Sequence, residues 1–387
     1  MARLGTETAF EALARAKALM AQGRSIVNLG IGEPDLDTPD HIVAAAKDAL
    51  DRGFTHYTPA AGLPEVRACI AADMGKRLGF PISPERIVVT PGAKPILFFT
   101  ILALCEEGDE AIYPNPGFPI YESMIRFTGA TPVPMRLRES LGFNPDPDEI
   151  RGLFSSKTRL VVLNSPGNPC GNVIPEGTLA LVAELAAETG AVVLSDEIYK
   201  DFLYGGEHLS VTRFPGMPEA TVVLDGLSKS YAMTGWRVGY AVLPEALVEP
   251  VARLMTNSVS CTAAFSQMAT IAALTGPEEP VRTMVAEFHA RRNLVVAGLN
   301  RIRGIICSEP GGAFYVFPNV KGTGMSSAEF ERRILNEAGV SLLAGTSFGE
   351  FGERYARISF AASQEDLREA LRRMEGLLGS SSSKAAN

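Results

Sequence analysis

No run of apolar residues in this sequence approaches the roughly 18–20 needed to cross a bilayer. Basic excess is missing too. The formal net charge is −8, whereas nucleic-acid binders usually carry a basic patch. The four histidines (His41, His56, His208 and His289) form no HExxH or other close pair, which argues against a metal centre. The five cysteines (Cys69, Cys105, Cys170, Cys261 and Cys307) are scattered, odd in number and without a CxxC, so reduced thiols are expected rather than a disulfide framework. No GxxxxGK[ST] phosphate loop occurs. The stretch "GIGEPD" (30–35) opens like a dinucleotide fingerprint, but Asp35 stands where the third glycine belongs and no helix follows directly. The N-terminal "MARLGTETAFEALARAKALM" interrupts its apolar residues with charge and has no continuous signal-peptide core. The expectation is a cytoplasmic protein with no membrane, nucleic-acid or metal partner.

What is present is a chain of 387 residues, too long for one ordinary core. Its 46% hydrophobic and 21% charged residues suit a globular protein. Short β-branched runs read as buried strands: "RIVVT" (86–90), "DEAIYP" (109–114), "RLVVLNS" (159–165), "AVVLSDE" (191–197) and "TVVLDG" (221–226). Helical patterns at 94–106, 118–127 and 175–189 lie between them. This alternation predicts an α/β fold with a parallel sheet covered on both faces. "RVGYAVLP" (237–244) follows too closely for a crossover helix and reads as an antiparallel return strand. From Pro244 to about residue 300 the pattern is helical. "GGAFYVFPN", a helix from about 326, "RYARISFA" and a helix at 364–378 then suggest a smaller α+β unit. "GSSSSKAAN" (379–387) reads as a flexible tail.

Ligands of open parallel sheets sit at the carboxyl ends of the strands. The residues just past those ends are Gly92, Ala93 and Lys94; Asn168; Asp196 and Tyr199; and Ser228 and Lys229. One rim thus gathers a glycine turn, an amide, a carboxylate, a phenol and a lysine. Each has a bland alternative: Asn168 as a turn residue, Asp196 as a helix cap, Lys229 as a surface charge. Together they suit an aromatic aldehyde cofactor bearing a phosphate. The lysine amine would form a Schiff base, the carboxylate would keep a pyridine nitrogen protonated, and the phenol and amide would bind the ring oxygen. An arginine, a hydroxyl and helix N-terminal amides would take the phosphate.

The motifs "GEPDLDTP", "YTPAAGLPEVR", "TPGAKPIL", "YPNPGFPIY", "NSPGNPCG", "SDEIY", "SKSYAMTGWRVGY", "GGAFYVF" and "ARISFA" occur in order from about residue 25 to 375. In that order the chain resembles the class I/II aminotransferases of pyridoxal-phosphate fold type I, close to the bacterial and archaeal aspartate aminotransferase subgroup. The resemblance implies a mostly parallel seven-stranded sheet in a large domain (45–284) and a smaller α+β domain (285–378), with residues 1–44 forming an N-terminal arm and part of the small domain. It implies pyridoxal 5'-phosphate, with Lys229 as the Schiff-base lysine, Asp196 on the pyridine nitrogen, and Asn168 and Tyr199 on the ring oxygen. Arg237 would bind the phosphate, with Ala93, Lys94 and Ser228 contributing. Phe118 would stack on the ring; its alternative is an ordinary core aromatic. Tyr57 would reach the phosphate of the neighbouring subunit in a homodimer with shared sites. Arg357 would clamp the substrate α-carboxylate, with Asn168 and the Gly32 backbone nearby. Two positions depart from the family pattern. Cys170 replaces the usual threonine of the Asn-Pro-x-Gly turn, and Gly226 replaces a serine three residues before the lysine.

The implied reaction is ping-pong transfer of an amino group from an L-amino acid to a 2-oxo acid. Aspartate with 2-oxoglutarate is the first choice. Alanine, aromatic and branched-chain amino acids remain alternatives, because no single cation for a distal carboxylate stands out. A carbon–sulfur lyase on the same scaffold would share every cofactor residue and differ in its products. A transcription regulator would need an added DNA-binding domain, and a nicotinamide dehydrogenase fails on its glycine pattern. "GTETAF" is open between a segment folded over the site and a solvated arm.

Overall fold

The computed structural model describes residues 3–6 and 8–379; residues 380–387 of the expected tail lie outside the described residues. Its largest sheet runs, in spatial order, β2 (Ile87–Thr90), β9 (Gly239–Val242), β8 (Thr221–Gly226), β7 (Val192–Asp196), β6 (Thr158–Asn164), β3 (Glu110–Asn115), β4 (Thr131–Arg138) and β5 (Asn144–Pro145). Strands β8, β7, β6, β3 and β4 are mutually parallel. The return strand β9 is antiparallel to both its neighbours, so β2 runs parallel with the rest. Seven strands match the expected number, and the two-residue β5 adds an eighth at the edge.

The strands are apolar on both faces because helices cover both. Val161, Leu163 and Val193 pack with Leu179 and Val182 of the helix Glu176–Thr189. Their alternating neighbours Leu160, Val162 and Leu194 pack on the other side with Ile96 and Phe99 of the helix Lys94–Leu104. Strand β4 escaped the sequence reading because Pro132 and Pro134 interrupt it. They sit where β4 has only β3 as a neighbour, so a missing N–H breaks no second ladder. The long helical stretch after Pro244 resolves into three helices, Glu245–Ser258, Ala264–Thr275 and Glu279–Leu299.

The remaining strands form two small sheets. β10 (Tyr315–Val316), β13 (Ala356–Ser359) and β12 (Leu343–Ala344) are antiparallel, and β1 (Val27–Asn28) pairs with β11 (Val340–Ser341) in parallel. One core continues from the large sheet into this region. Phe288, on the helix Glu279–Leu299, lies edge-on to Phe202 with ring centroids 5.4 Å apart and tilted 5.3 Å from Phe314. Phe288 is fully buried, so Phe288→Ala should cost about 3–5 kcal/mol. Urea denaturation of the two proteins measures this, and a loss below about 1 kcal/mol would contradict the packing role.

Candidate active site

A cavity of about 500 Å³ opens at the carboxyl ends of β6, β7 and β8, facing the start of the helix Lys94–Leu104. Of the residues singled out from sequence, Ala93, Lys94, Phe118, Asn168, Asp196, Tyr199, Ser228, Lys229, Arg237, Gly32 and Arg357 line it. Tyr57 does not. It stands 90% exposed on the loop between the helices Asp40–Asp51 and Pro64–Leu78.

The floor is built from strand ends. Asp196 closes β7, buried, and its Oδ2 accepts from Tyr121 Oη at 2.6 Å. Its Oδ1 accepts from the Ile198 amide at 3.3 Å. Asn164 closes β6; its Nδ2 donates to the Asp196 carbonyl at 3.0 Å, and its Oδ1 accepts from the Asn168 amide at 2.8 Å. Burial raises the Asp196 carboxyl to about 6; Tyr121 and the Ile198 amide oppose that rise, while Asp225 and Glu197 add to it. The Tyr199 and Tyr315 hydroxyls lie 2.8 Å apart, and burial holds Tyr199 well above the ordinary tyrosine value, with Tyr315 adding to it.

The walls carry the cations. Lys229 Nζ donates to the Gly32 carbonyl at 2.5 Å. Arg357, on β13, reaches 189 residues back to donate from Nη1 to Asn168 Oδ1 at 3.1 Å, and from Nη2 to the Gly30 carbonyl. Its guanidinium lies over the rings of Tyr315 (4.6 Å) and Phe348 (4.8 Å), which shield the planar fork from water. Arg237 adopts a left-handed φ of 55° and bonds the Thr234 carbonyl at 2.8 Å. Gly92 is required opposite it: φ is +85°, and a Cβ there would fall 2.1 Å from Arg237 Nη2.

The sequence reading missed Tyr121, Asn164 and Tyr315. Tyr121, in the first turn of the helix Ile120–Thr128, lies three residues after Phe118, and the two rings meet edge-on with centroids 5.7 Å apart. Asn164 ends a strand, the position that had singled out its neighbours. For Tyr315 the sequence holds no comparable signal. The N-terminal helix Thr8–Ala21 places Ala9, Phe10 and Leu13 on the cavity wall, so Phe10 of "GTETAF" belongs to a segment folded over the site. Cys170 lies outside the cavity, packed among Ala9, Ala12, Phe317, Leu343 and Phe348. A threonine hydroxyl has no role in that apolar setting.

This donor set fits pyridoxal phosphate. A buried carboxylate held by two neutral donors matches a protonated ring nitrogen. A lysine amine stands in the same cavity. Arg237, Ser228 and the first amides of the helix Lys94–Leu104 form an anion-binding corner. The volume suits a ligand of that size. Without a cation on the floor, the raised Asp196 value has a consequence for stability. The folded protein holds a proton that the unfolded chain releases near 3.8. This contribution is complete below that pH and is lost as the pH rises through about 6. Cofactor-free protein should therefore lose about 3 kcal/mol between about pH 4 and 7 that Asp196→Asn retains. Thermal melts of both proteins check this; parallel pH dependences would contradict it.

Residues 24–374 match the family model described as aminotransferase class I and II. An aspartate aminotransferase of Pyrococcus horikoshii is 42% identical over 356 residues, 91% of this chain and 90% of that protein. An aromatic-amino-acid aminotransferase 2 of Thermococcus litoralis is 39% identical over 93% of each. The solved structure of aspartate aminotransferase from Thermus thermophilus with maleate aligns with a TM-score of 0.93 at 37% identity, covering 97% of each chain. With this agreement across nearly its whole length, the chain belongs to the class I and II aminotransferases and is a pyridoxal-phosphate-dependent aminotransferase.

Proposed function

We propose that this enzyme moves the amino group of aspartate to 2-oxoglutarate, and that Lys94 selects the acidic substrate. The observation carrying the reading is the set of cations that line the cavity among the described residues: Lys94, Lys229, Arg237 and Arg357. Three have work elsewhere in the reaction. Lys94 is the cation placed to meet a distal carboxylate, while its backbone amide serves the phosphate corner. A second reading, aromatic donors, has its own support: the Lys94 ammonium lies 5.4 Å from the Phe10 ring centroid and 5.5 Å from that of Phe118. Those rings could stack on an aromatic side chain.

Bound pyridoxal phosphate supplies an aldehyde for amine exchange and a ring that accepts the electron pair left at the substrate Cα. The chain does the rest. Asp196 holds a proton on the ring nitrogen by its charge. Tyr199 and Asn168 donate to the ring oxygen. Arg237, Ser228 and the amides of Ala93 and Lys94 fix the phosphate, and Phe118 covers the ring. Lys229 Nζ would hold the cofactor at its aldehyde carbon, and its amine would carry the proton from the substrate Cα to that carbon. Arg357 orients the α-carboxylate with a two-pronged fork.

The reading includes a cytoplasmic enzyme, its five cysteines all free, divided at residues 45–284 and 285–378 into a large and a small domain. It also includes a homodimer in which Tyr57 serves the partner's phosphate corner, supported by its exposure outside the lining of its own cavity.

In a donor screen against 2-oxoglutarate, aspartate should lead. Lys94→Met should lower kcat/KM for aspartate by about fivefold while leaving alanine within about twofold, as expected when a solvent-facing charge pair loses one member. Phenylalanine outrunning aspartate in the wild type would favour the aromatic reading. For the shared site, Lys229→Ala and Tyr57→Ala chains refolded together should yield one intact site per mixed dimer, and activity above that of Tyr57→Ala alone. No gain on mixing would place Tyr57 outside a shared site.

A further inference from the structure

Behind the cavity floor lies a largely buried ionic cluster that does not line the cavity. Strand alternation turns Asp196 and Leu224 toward the cavity, and Glu197 and Asp225 away from it. Both of the latter are almost fully buried. Arg77, in the last turn of the helix Pro64–Leu78, bridges them: Nη1 donates to Glu197 at 2.6 Å and Nη2 to Asp225 at 3.2 Å. Glu197 also accepts from Ser195 Oγ at 2.9 Å and Ser210 Oγ at 2.6 Å, and His208 Nδ1 stands 3.8 Å away. Asp225 accepts from its own strand end, the Gly226 amide, at 2.7 Å. It also pairs with Lys200 at 2.9 Å, which pairs with Asp201 at 3.0 Å. Asp201 accepts from Ser230, the residue after Lys229. An unbroken chain of contacts thus runs from the neighbour of Lys229 to the neighbour of Asp196, with Arg77 linking it to the helix layer.

We propose that Arg77 is a positioning residue of the aminotransferase site: by bridging Glu197 and Asp225 it holds the ends of β7 and β8 so that Asp196 and Lys229 address the same cofactor. This rests on the roles given above to Asp196 and Lys229. Arg77 does not line the cavity, so it acts only through these neighbours. Its guanidinium is suited to the task because a planar fork spans two carboxylates at once, which an ammonium does with looser geometry.

The bridge also controls charge. Four carboxylates, Glu197, Asp225, Asp201 and the nearby Asp73, face two cations, Arg77 and Lys200. Burial opposes ionisation of Glu197, yet His208 and Arg77 hold it below the ordinary glutamate value. Around Asp196 stand Tyr121 from the helix Ile120–Thr128, Tyr199 and Glu197 on its own segment, and Asp225 on β8. Lys229 and Arg357 share the cavity with it. Loss of the Arg77 charge makes the surroundings of the site more negative, so groups there should hold protons to higher pH.

The test uses cofactor-loaded full-length enzyme, with kcat expressed per bound cofactor, and the pH midpoint of the visible absorption of the Lys229-bound cofactor. Arg77→Met should lower kcat by about tenfold or more, leave KM for the amino acid within about twofold because Arg357 is untouched, and raise the midpoint by about one pH unit. Arg77→Lys keeps the charge but loses the fork, so it should keep the midpoint and recover only part of kcat. Wild-type kcat and midpoint in Arg77→Met would overturn the proposal, as would a kcat loss that vanishes once corrected for bound cofactor. If Arg77→Met does not fold, Arg77→Lys decides: a lowered kcat at unchanged midpoint supports the bridge, and wild-type kcat overturns it. Wild-type protein that binds no cofactor, or releases ammonia instead of exchanging amines, would refute the enzymatic reading and is seen before any variant is made.

Discussion

The carboxylate of Asp196 is the charge around which the site is organised. Placing it in a dry floor is unfavourable unless something compensates it. Its own donors, the Tyr121 hydroxyl and the Ile198 amide, are neutral and only partly do so. In the proposed mechanism a cationic ring nitrogen would complete the compensation, so cofactor binding and ionisation of Asp196 would support each other. The same burial would let the carboxylate hold a proton on that ring in the proposed mechanism. In a wet cleft the charge would be screened and its hold on the ring weakened.

Parallel strands make this arrangement possible. Side by side, β6, β7 and β8 end at one rim, so Asn164, Asp196 and the segment leading to Lys229 arrive from residues far apart in the chain. The return strand β9 wedges between β8 and β2 and brings Arg237 against Gly92. The small sheets supply another wall of the cavity: Arg357 comes from β13, with its guanidinium over Tyr315 and Phe348. Residues of the large sheet and Arg357 of the small ones line a single cavity, so in the proposed mechanism their relative placement would govern catalysis.

Much of this was legible in the residues. The β-branched runs marked five of the parallel sheet's strands within one or two positions, because a strand buried on both faces has no polar face to obscure it. Strand β4 was hidden by its prolines, which a ladder tolerates where only one neighbour is present. The rim residues could be picked out by their place just beyond the carboxyl end of each strand. Tyr315 and the wall formed by Phe10 could not, since neither comes after a strand of that sheet.

By itself the sequence determined the alternation of strands and helices, and with it a rim that gathers Asn168, Asp196, Tyr199 and Lys229; hydrophobic periodicity and strand ends are local properties that a linear reading can trace. Only the tertiary structure decided which side chains touch. That Arg357 meets Asn168, that Tyr121 holds Asp196, and that Arg77 joins Glu197 to Asp225 across 120 and 148 residues are outcomes of packing between distant segments. No local pattern encodes them, because the energy of such a contact depends on where the rest of the core places its two ends.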